Sequence, residues 1–251
     1  MAAKYSKPRI VLVHGAAHGA WCWERMLPLM QARGFEVDAF DLPGLGSDLT
    51  PPGDVTLERY VQRVLTAVRA GSQPVVLVGH SMGGGPIAAA AEAASEQIGK
   101  LVYLAATLPV HGEGLGKALE LSRQFPGRSA SSALRASRTE GAMDFAPELA
   151  AAAFYNQCDA ETARAAVARL RPQATRPLQG EPITLTAARY GAVPKTYVVC
   201  TNDQALPPAL QHWFCARVPE LKVVEKPWDH SPFFSDPQAL ADLLVAEATL
   251  T

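Results

Sequence analysis

No stretch of the sequence approaches the roughly 18 consecutive apolar residues that span a bilayer, so no membrane segment is expected. The opening Met1-Ala2-Ala3-Lys4-Tyr5-Ser6-Lys7-Pro8 is polar, with only a few apolar residues after it, and does not read as a secretory signal. Neither sign of charge is in excess. Lys and Arg number 23 against 24 Asp and Glu, a net charge of −1, which argues against nucleic acid as the main partner because such binding rests on a basic surface. Cysteine is scarce: Cys22, Cys158, Cys200 and Cys215 are scattered, with no CxxC and no His/Cys cluster. That excludes a disulfide scaffold and a zinc site, and points to free thiols in a reducing cytoplasm. Aromatics make up 7%, and alanine inflates the 48% hydrophobic fraction. GxxxxGK[ST] and HExxH are absent, and no GxGxxG follows the first apolar run, so phosphate-loop, zinc-peptidase and dinucleotide-binding chemistry lose their signatures. No metal or organic cofactor is expected. The 251 residues suit a single α/β domain.

What is present is a rhythm of short apolar runs. Ile10–Val13, Val37–Phe40, Val75–Val78, Leu101–Leu104, Thr196–Cys200 and Leu221–Val224 read as strands. Most of these runs are continuous rather than alternating, as in parallel strands covered on both faces. Between them, Trp21–Ala32, Thr56–Ala70, Ile87–Gln97, Gln204–Ala216 and Pro237–Ala248 read as helices, several closed by glycine. Strand and helix in alternation predict a mostly parallel sheet flanked by helices. Residues 107–193 break the rhythm. They show helical stretches (Leu115–Gln124, Pro147–Asn156, Glu161–Leu170) and no convincing strand, and are too long for a loop. They are expected to form a helical lid inserted into one domain that runs 1–251.

The strongest chemical signal is Gly79-His80-Ser81-Met82-Gly83, a GxSxG set between the Val75–Val78 run and the Ile87–Gln97 helix. Such a turn lifts the central serine to a helix N-terminus, where backbone N–H groups can hold an oxyanion. A serine nucleophile needs a base, and the base an orienting carboxylate. With a serine elbow of this kind the chain order is serine, acid, histidine. His14, His18 and His80 precede or adjoin the nucleophile, His111 follows the fourth run too soon, and His212 sits within a helix. His230, in the loop after the last strand, is the expected general base. Asp203, just beyond Thr196–Cys200, is the expected acid; Asp229 is read as a loop cap. The oxyanion donors should be the amides of Met82 and of Ala16, the latter in the loop His14-Gly15-Ala16-Ala17-His18-Gly19-Ala20-Trp21.

Three segments carry a resemblance. His14-Gly15-Ala16-Ala17-His18-Gly19-Ala20-Trp21-Cys22-Trp23, Gly79-His80-Ser81-Met82-Gly83-Gly84 and Trp228-Asp229-His230 resemble the α/β-hydrolase family of plant methylesterases and hydroxynitrile lyases and their bacterial esterase relatives. Asp41–Gly46, Tyr197–Asp203 and Gln211–Trp213 fit as well, and the insertion matches in outline around Phe154–Asn156 and Leu170–Pro172, so the likeness covers nearly the whole chain. The resemblance implies an α/β-hydrolase fold and one of two chemistries. Lyase members carry Thr at the position of Gly15 and Lys at that of Ser231, to meet the cyanohydrin and the departing cyanide. Without a cation at residue 231 the lyase reading weakens. Esterase members have Gly at the first position and often Met at the second, so Ser231 departs from them too.

The expectation is therefore a serine esterase acting through an acyl-enzyme on small, largely apolar carboxylic esters, methyl or short-alkyl or aryl. Its substrate contacts are expected from Gly15, Trp21, Phe125, Phe154, Tyr155 and Ser231, with Met143, Phe145 and Phe233 as further candidates. A lactonase or thioesterase would use the same triad, and a non-catalytic small-molecule receptor is a reading of a different class. A homodimer follows from family likeness alone.

Overall fold

A computed structural model describes residues 7–180 and 182–249 of the chain; the start Met1–Ser6 lies outside the described residues. Strands β1 (Arg9–Val13), β2 (Val37–Ala39), β3 (Val75–His80) and β4 (Ile98–Leu104) form in chain order, with helices α1 (Met26–Gln31), α2 (Leu57–Val68) and α3 (Gly84–Ala93) between them. The segment that follows holds α4 (Lys117–Leu121), β5 (Leu134–Ala136), β6 (Ala142–Phe145), α5 (Pro147–Phe154), α6 (Ala160–Val167) and β7 (Gln173–Ala174). The sheet then resumes with β8 (Lys195–Cys200), α7 (Pro208–Cys215), β9 (Lys222–Lys226), α8 (Pro232–Ser235) and α9 (Pro237–Thr249).

The six sheet strands are all parallel, in the order β2-β1-β3-β4-β8-β9. Alternation along each strand sends side chains to opposite faces. Val11, Val13, Val75, Leu77, Leu101, Tyr103, Tyr197 and Val199 pack on one face with residues of α2, α3 and α7. Ile10, Leu12, Val76, Val78, Val102, Leu104, Val198 and Cys200 pack on the other with residues of α1, α5 and α9. Coverage on both sides is why these strands read as unbroken apolar runs. Buried Glu247 ties α9 across three strands, accepting from Lys100 Nζ (2.9 Å), Lys222 Nζ (2.6 Å) and Thr196 Oγ1 (2.8 Å).

Three expectations are corrected. The segment 107–193 is not purely helical: β5, β6 and β7 form a small antiparallel sheet. Its strands are two to four residues long and poor in β-branched side chains, and β7 joins β6 from 28 residues further along the chain, a pairing no local pattern encodes. The helix expected from Gln204 starts only at Pro208. The Asp203 carboxylate takes the Ala205 and Leu206 N–H groups into a side-chain turn (2.7 and 2.9 Å), and Pro207-Pro208 sets the start after it. Similarly, Trp21–Ala32 is a 3₁₀ turn, Ala20–Trp23, followed by the short α1.

Candidate active site

The candidate nucleophile, acid and base all lie beyond the carboxyl end of a parallel strand, where α/β sheets place their ligands. His14 follows β1, Ser81 follows β3, Asp203 follows β8 and His230 follows β9. Ser81 has φ +52°, the left-handed conformation an L side chain adopts only when its surroundings enforce it. Its carbonyl accepts twice from Thr107, from the N–H and from Oγ1, each at 3.0 Å. The glycines flanking the turn are dictated by space: a Cβ on Gly79 would come within 2.7 Å of Ile87 Cδ1, and one on Gly83 within 2.8 Å of His14 O. Thr107→Val removes one of the two bonds on the Ser81 carbonyl at constant shape. It should cost about 1 kcal/mol of stability, read by urea unfolding, and lower turnover less than about tenfold.

Asp203 and His230 are buried, and His230 Nδ1 lies 2.7 Å from Asp203 Oδ2. A carboxylate only accepts, so Nδ1 carries the proton and the lone pair is on Nε2. The carboxylate is filled: Oδ2 also accepts from Gln211 Nε2 at 3.0 Å, and Oδ1 takes the Ala205 and Leu206 amides. Gln211 is held in turn by the Cys200 N–H (3.0 Å) and the Leu206 carbonyl (2.8 Å). The backbone of the histidine loop is pinned by His80, whose Nε2–H donates to His230 O at 2.8 Å. Burial drives the His80 pKa well below its ordinary value, helped by the neighbouring imidazoles of His230 and His18, so a neutral ring sits 4.6 Å from that of His230. Asp229 caps the same loop, accepting from Ser231 N (3.1 Å), Ser235 Oγ (2.7 Å) and Gln157 N (3.1 Å), and burial raises its pKa.

Ser81 and His230 share the wall of a cavity of about 100 Å³, together with Ala16 and Met82. Met82 is the second residue of a helical turn, where an N–H has no intrahelical acceptor. The peptides around Ala16 are individually oriented. His14 Nδ1–H donates to Gly15 O (2.8 Å), so in this trans peptide the Ala16 N–H points the opposite way; His18 Nδ1–H holds Ala16 O at 2.7 Å. The rest of the wall is mostly apolar and comes largely from the segment between β4 and β8, including Leu115, Leu119, Leu134, Met143, Phe145 and Leu178.

The other residues expected at the substrate lie off this wall. Phe125 packs edge-on to Trp213 at 6.1 Å. Trp21 stacks on His18 at 5.3 Å, under the guanidinium of Arg169. Phe154 is buried between His18, Phe145 and His230 (ring distances 5.5, 5.1 and 5.6 Å), and the Tyr155 hydroxyl donates to His18 Nε2 at 2.8 Å. Gly15 backs the nucleophile, where a Cβ would stand 2.8 Å from Ser81 Cβ. Ser231 is fully buried and its Oγ has no hydrogen-bond partner. Sequence reasoning missed most of the wall, Thr107, Ser129, Ser131 and Gln173 included; of the missed residues Ala205 and Leu206, two and three positions beyond Asp203, lay within reach of a local signal.

All four cysteines are free thiols. Among the described residues no three His, Cys, Asp or Glu side chains are grouped to hold a metal ion, and no helix is long and apolar enough to cross a membrane. The alpha/beta hydrolase family model matches residues 10–243, nearly the whole of the parallel sheet and its helices. The chain belongs to the alpha/beta hydrolase family. Among its relatives, Esterase PIR7B of Oryza sativa subsp. japonica is 33% identical over 258 residues, spanning 96% of this chain and 95% of the relative. Methylesterase 1 of Arabidopsis thaliana is 32% identical over 261 residues, spanning 96% of both. The crystal structure of polyneuridine aldehyde esterase superposes with a TM-score of 0.84 at 25% identity, covering 96% of this chain and 99% of that one. The chain's resemblance to plant methylesterases extends over nearly its whole length, as its motifs led one to expect.

Proposed function

We propose that the protein is a serine carboxylesterase that cleaves small, largely apolar esters through an acyl-enzyme. The observation that carries the reading is the buried His230–Asp203 bond of 2.7 Å on a histidine that shares one cavity wall with Ser81. The esterases among its relatives support ester hydrolysis as the reaction class.

In this reading Ser81 Oγ attacks the ester carbonyl while His230 Nε2 takes its proton. Asp203 holds the imidazole tautomer and favours the imidazolium that forms. The oxyanion is met by the Ala16 and Met82 amides, an arrangement worth about 10²–10³ in rate per donor. His230 returns its proton to the departing alcohol, and a water activated by the same nitrogen cleaves the acyl-enzyme to release the acid. The segment 107–193 acts as a lid in the sense that it supplies most of the cavity wall, in one domain with the sheet. A cavity of about 100 Å³ is small beside the roughly 300–1,000 Å³ of sites for drug-sized ligands, which favours short acyl and alcohol groups. Against the lyase reading stands residue 231: it is Ser, and it is buried away from the wall.

A panel of methyl, aryl, lactone and thioester substrates, with Ser81→Ala as the blank, tests the proposal. Short-chain esters are expected to turn over with the wild type only, with acyl adduct on Ser81 detectable by mass spectrometry after rapid quenching. Preference for a lactone or thioester would reassign the substrate. Release of cyanide from mandelonitrile, or ligand binding without turnover, would overturn the esterase reading.

A further inference from the structure

We propose that Gln173 is a positioning residue for the oxyanion donor, the point at which the segment between β4 and β8 is built into the catalytic machinery. The inference rests on the esterase reading above and assigns a role to a side chain that the triad chemistry leaves unused.

The loop after β1 contains Ala17 at φ +59°, a conformation that must be held from outside. The two histidines of the loop fix the carbonyls of Gly15 and Ala16 from within. Ala17 itself is clamped from the distant segment on both sides: its N–H donates to Gln173 Oε1 at 3.0 Å, and its carbonyl accepts from Arg171 N–H at 2.9 Å. The Arg171 contact is made by the backbone and survives any substitution there other than proline. Gln173 alone supplies a side-chain acceptor to the peptide that joins Ala16 to Ala17.

Gln173 is almost fully buried, and its amide orientation is determined by partners that cannot exchange roles. The Ala17 N–H can only donate and the Ala174 carbonyl can only accept, so Oε1 faces the loop and Nε2 donates to Ala174 O and to Tyr60 Oη, both at 3.1 Å. Both amide hydrogens are thus engaged within the protein. The side chain lies on the cavity wall yet has no donor left for a substrate, which marks it as a group that acts through Ala16 rather than on the ester. A second contact works in the same direction: the Tyr155 hydroxyl donates to His18 Nε2, steadying the ring that holds Ala16 O. Displacement of a catalytic group by about 1 Å can cost on the order of 10²-fold in rate, so the consequence falls on kcat.

The test uses the full chain and p-nitrophenyl acetate. Gln173→Met keeps the length of the side chain and removes the acceptor. It is expected to lower kcat about 10- to 100-fold with KM within threefold, and to weaken a trifluoromethyl ketone inhibitor, which forms an oxyanion on the nucleophile, in parallel with kcat. Gln173→Glu keeps an oxygen for the Ala17 N–H and should recover most of that loss. Tyr60→Phe removes the partner at the other end of the amide and should lower thermal stability while leaving kcat within twofold. The proposal is overturned if folded Gln173→Met keeps kcat within threefold, if it loses kcat but not inhibitor affinity, or if the Met and Glu variants are equally slow. Should Gln173→Met not fold, Gln173→Asn, which draws the acceptor back from the Ala17 N–H, decides: kcat is expected to fall threefold or more at constant KM, and an unchanged kcat overturns the proposal. A Ser81→Ala variant as active as the wild type would instead remove the esterase reading, an outcome separable from any result at residue 173.

Discussion

Asp203→Asn is expected to lower kcat by about 10⁴ while leaving the fold and KM nearly intact. The size follows from which way the new amide must face. Oδ1 of Asp203 accepts the Ala205 and Leu206 N–H groups at 2.7 and 2.9 Å. Both are backbone donors, so an asparagine must keep its oxygen there and turn its NH₂ toward the other pair. At that position stand Gln211 Nε2 and His230 Nδ1, at 3.0 and 2.7 Å. Gln211 cannot reverse, because its oxygen is already taken by the Cys200 N–H at 3.0 Å. The asparagine NH₂ therefore donates to His230 Nδ1, the ring proton moves to Nε2, and the nitrogen facing the cavity loses the lone pair that accepts the serine proton. The measurements are kcat on an activated ester and the melting temperature. A loss under tenfold with the fold retained would show that His230 does not act as a base held by Asp203. Asp203→Ala should be no worse in kcat, since it imposes no tautomer, and less stable, since it leaves the two backbone amides buried and unpaired.

How far such a site can be read from sequence depends on whether its determinants are local. The strands were legible because burial on both faces leaves unbroken runs such as Val75–Val78, and the elbow was legible because Gly79 and Gly83 are required by contacts within a few ångströms of the turn itself. His230 and Asp203 could be picked out because the chain order serine, acid, histidine goes with an elbow of this kind, and each follows a strand run, parallel strands ending at one edge of the sheet. The cavity wall follows no such rule. Trp21, Phe154 and Tyr155 are large and apolar, the properties that suggest substrate contact, but the same properties make them pack around His18 and His230 from behind. Of the apolar residues expected there, Met143 and Phe145 do reach the wall; the rest of it is mostly Leu, Ala and Ser side chains of no distinctive pattern, along with Gln173, whose part depends on a contact 156 residues away. The small sheet of β5, β6 and β7 escaped for the same reason: its strands are stable only in each other's company.

Stability is expected to collapse between about pH 6.5 and pH 4, driven by three histidines that the reaction does not use as bases. His14, His18 and His80 are all but fully buried. Burial lowers the pKa of His14 to about 4 and that of His18 to about 3, against hydrogen bonds to Gly15 and Ala16 that act the other way, and drives His80 well down. The contacts agree with neutral rings: His14 Nε2 accepts from the Leu42 N–H at 3.0 Å, where a proton would set donor against donor, and His80 Nδ1 is buried without a partner. In the unfolded chain each ring titrates near 6.5. Below that value the unfolded state binds protons that the native state refuses, so the stabilisation present above about pH 6.5 is lost as the pH falls. His14 and His18 each contribute about 2 kcal/mol of loss by pH 5, about 4 kcal/mol together, and His80 adds to it in the same direction, against a total stability on the order of 5–15 kcal/mol for a domain. Carboxylates held low, such as Asp41 and Glu247, add to the loss only once the unfolded carboxyls begin to protonate, below about pH 4.5. Denaturant midpoints or calorimetric melting temperatures from pH 7.5 to 4.5 should show a slope of at least about two protons, roughly 3 kcal/mol per pH unit, near pH 5. A midpoint that stays level down to pH 5 would mean that these imidazoles are charged or solvated in the native protein, and with them the hydrogen-bonded loop that carries the Ala16 amide.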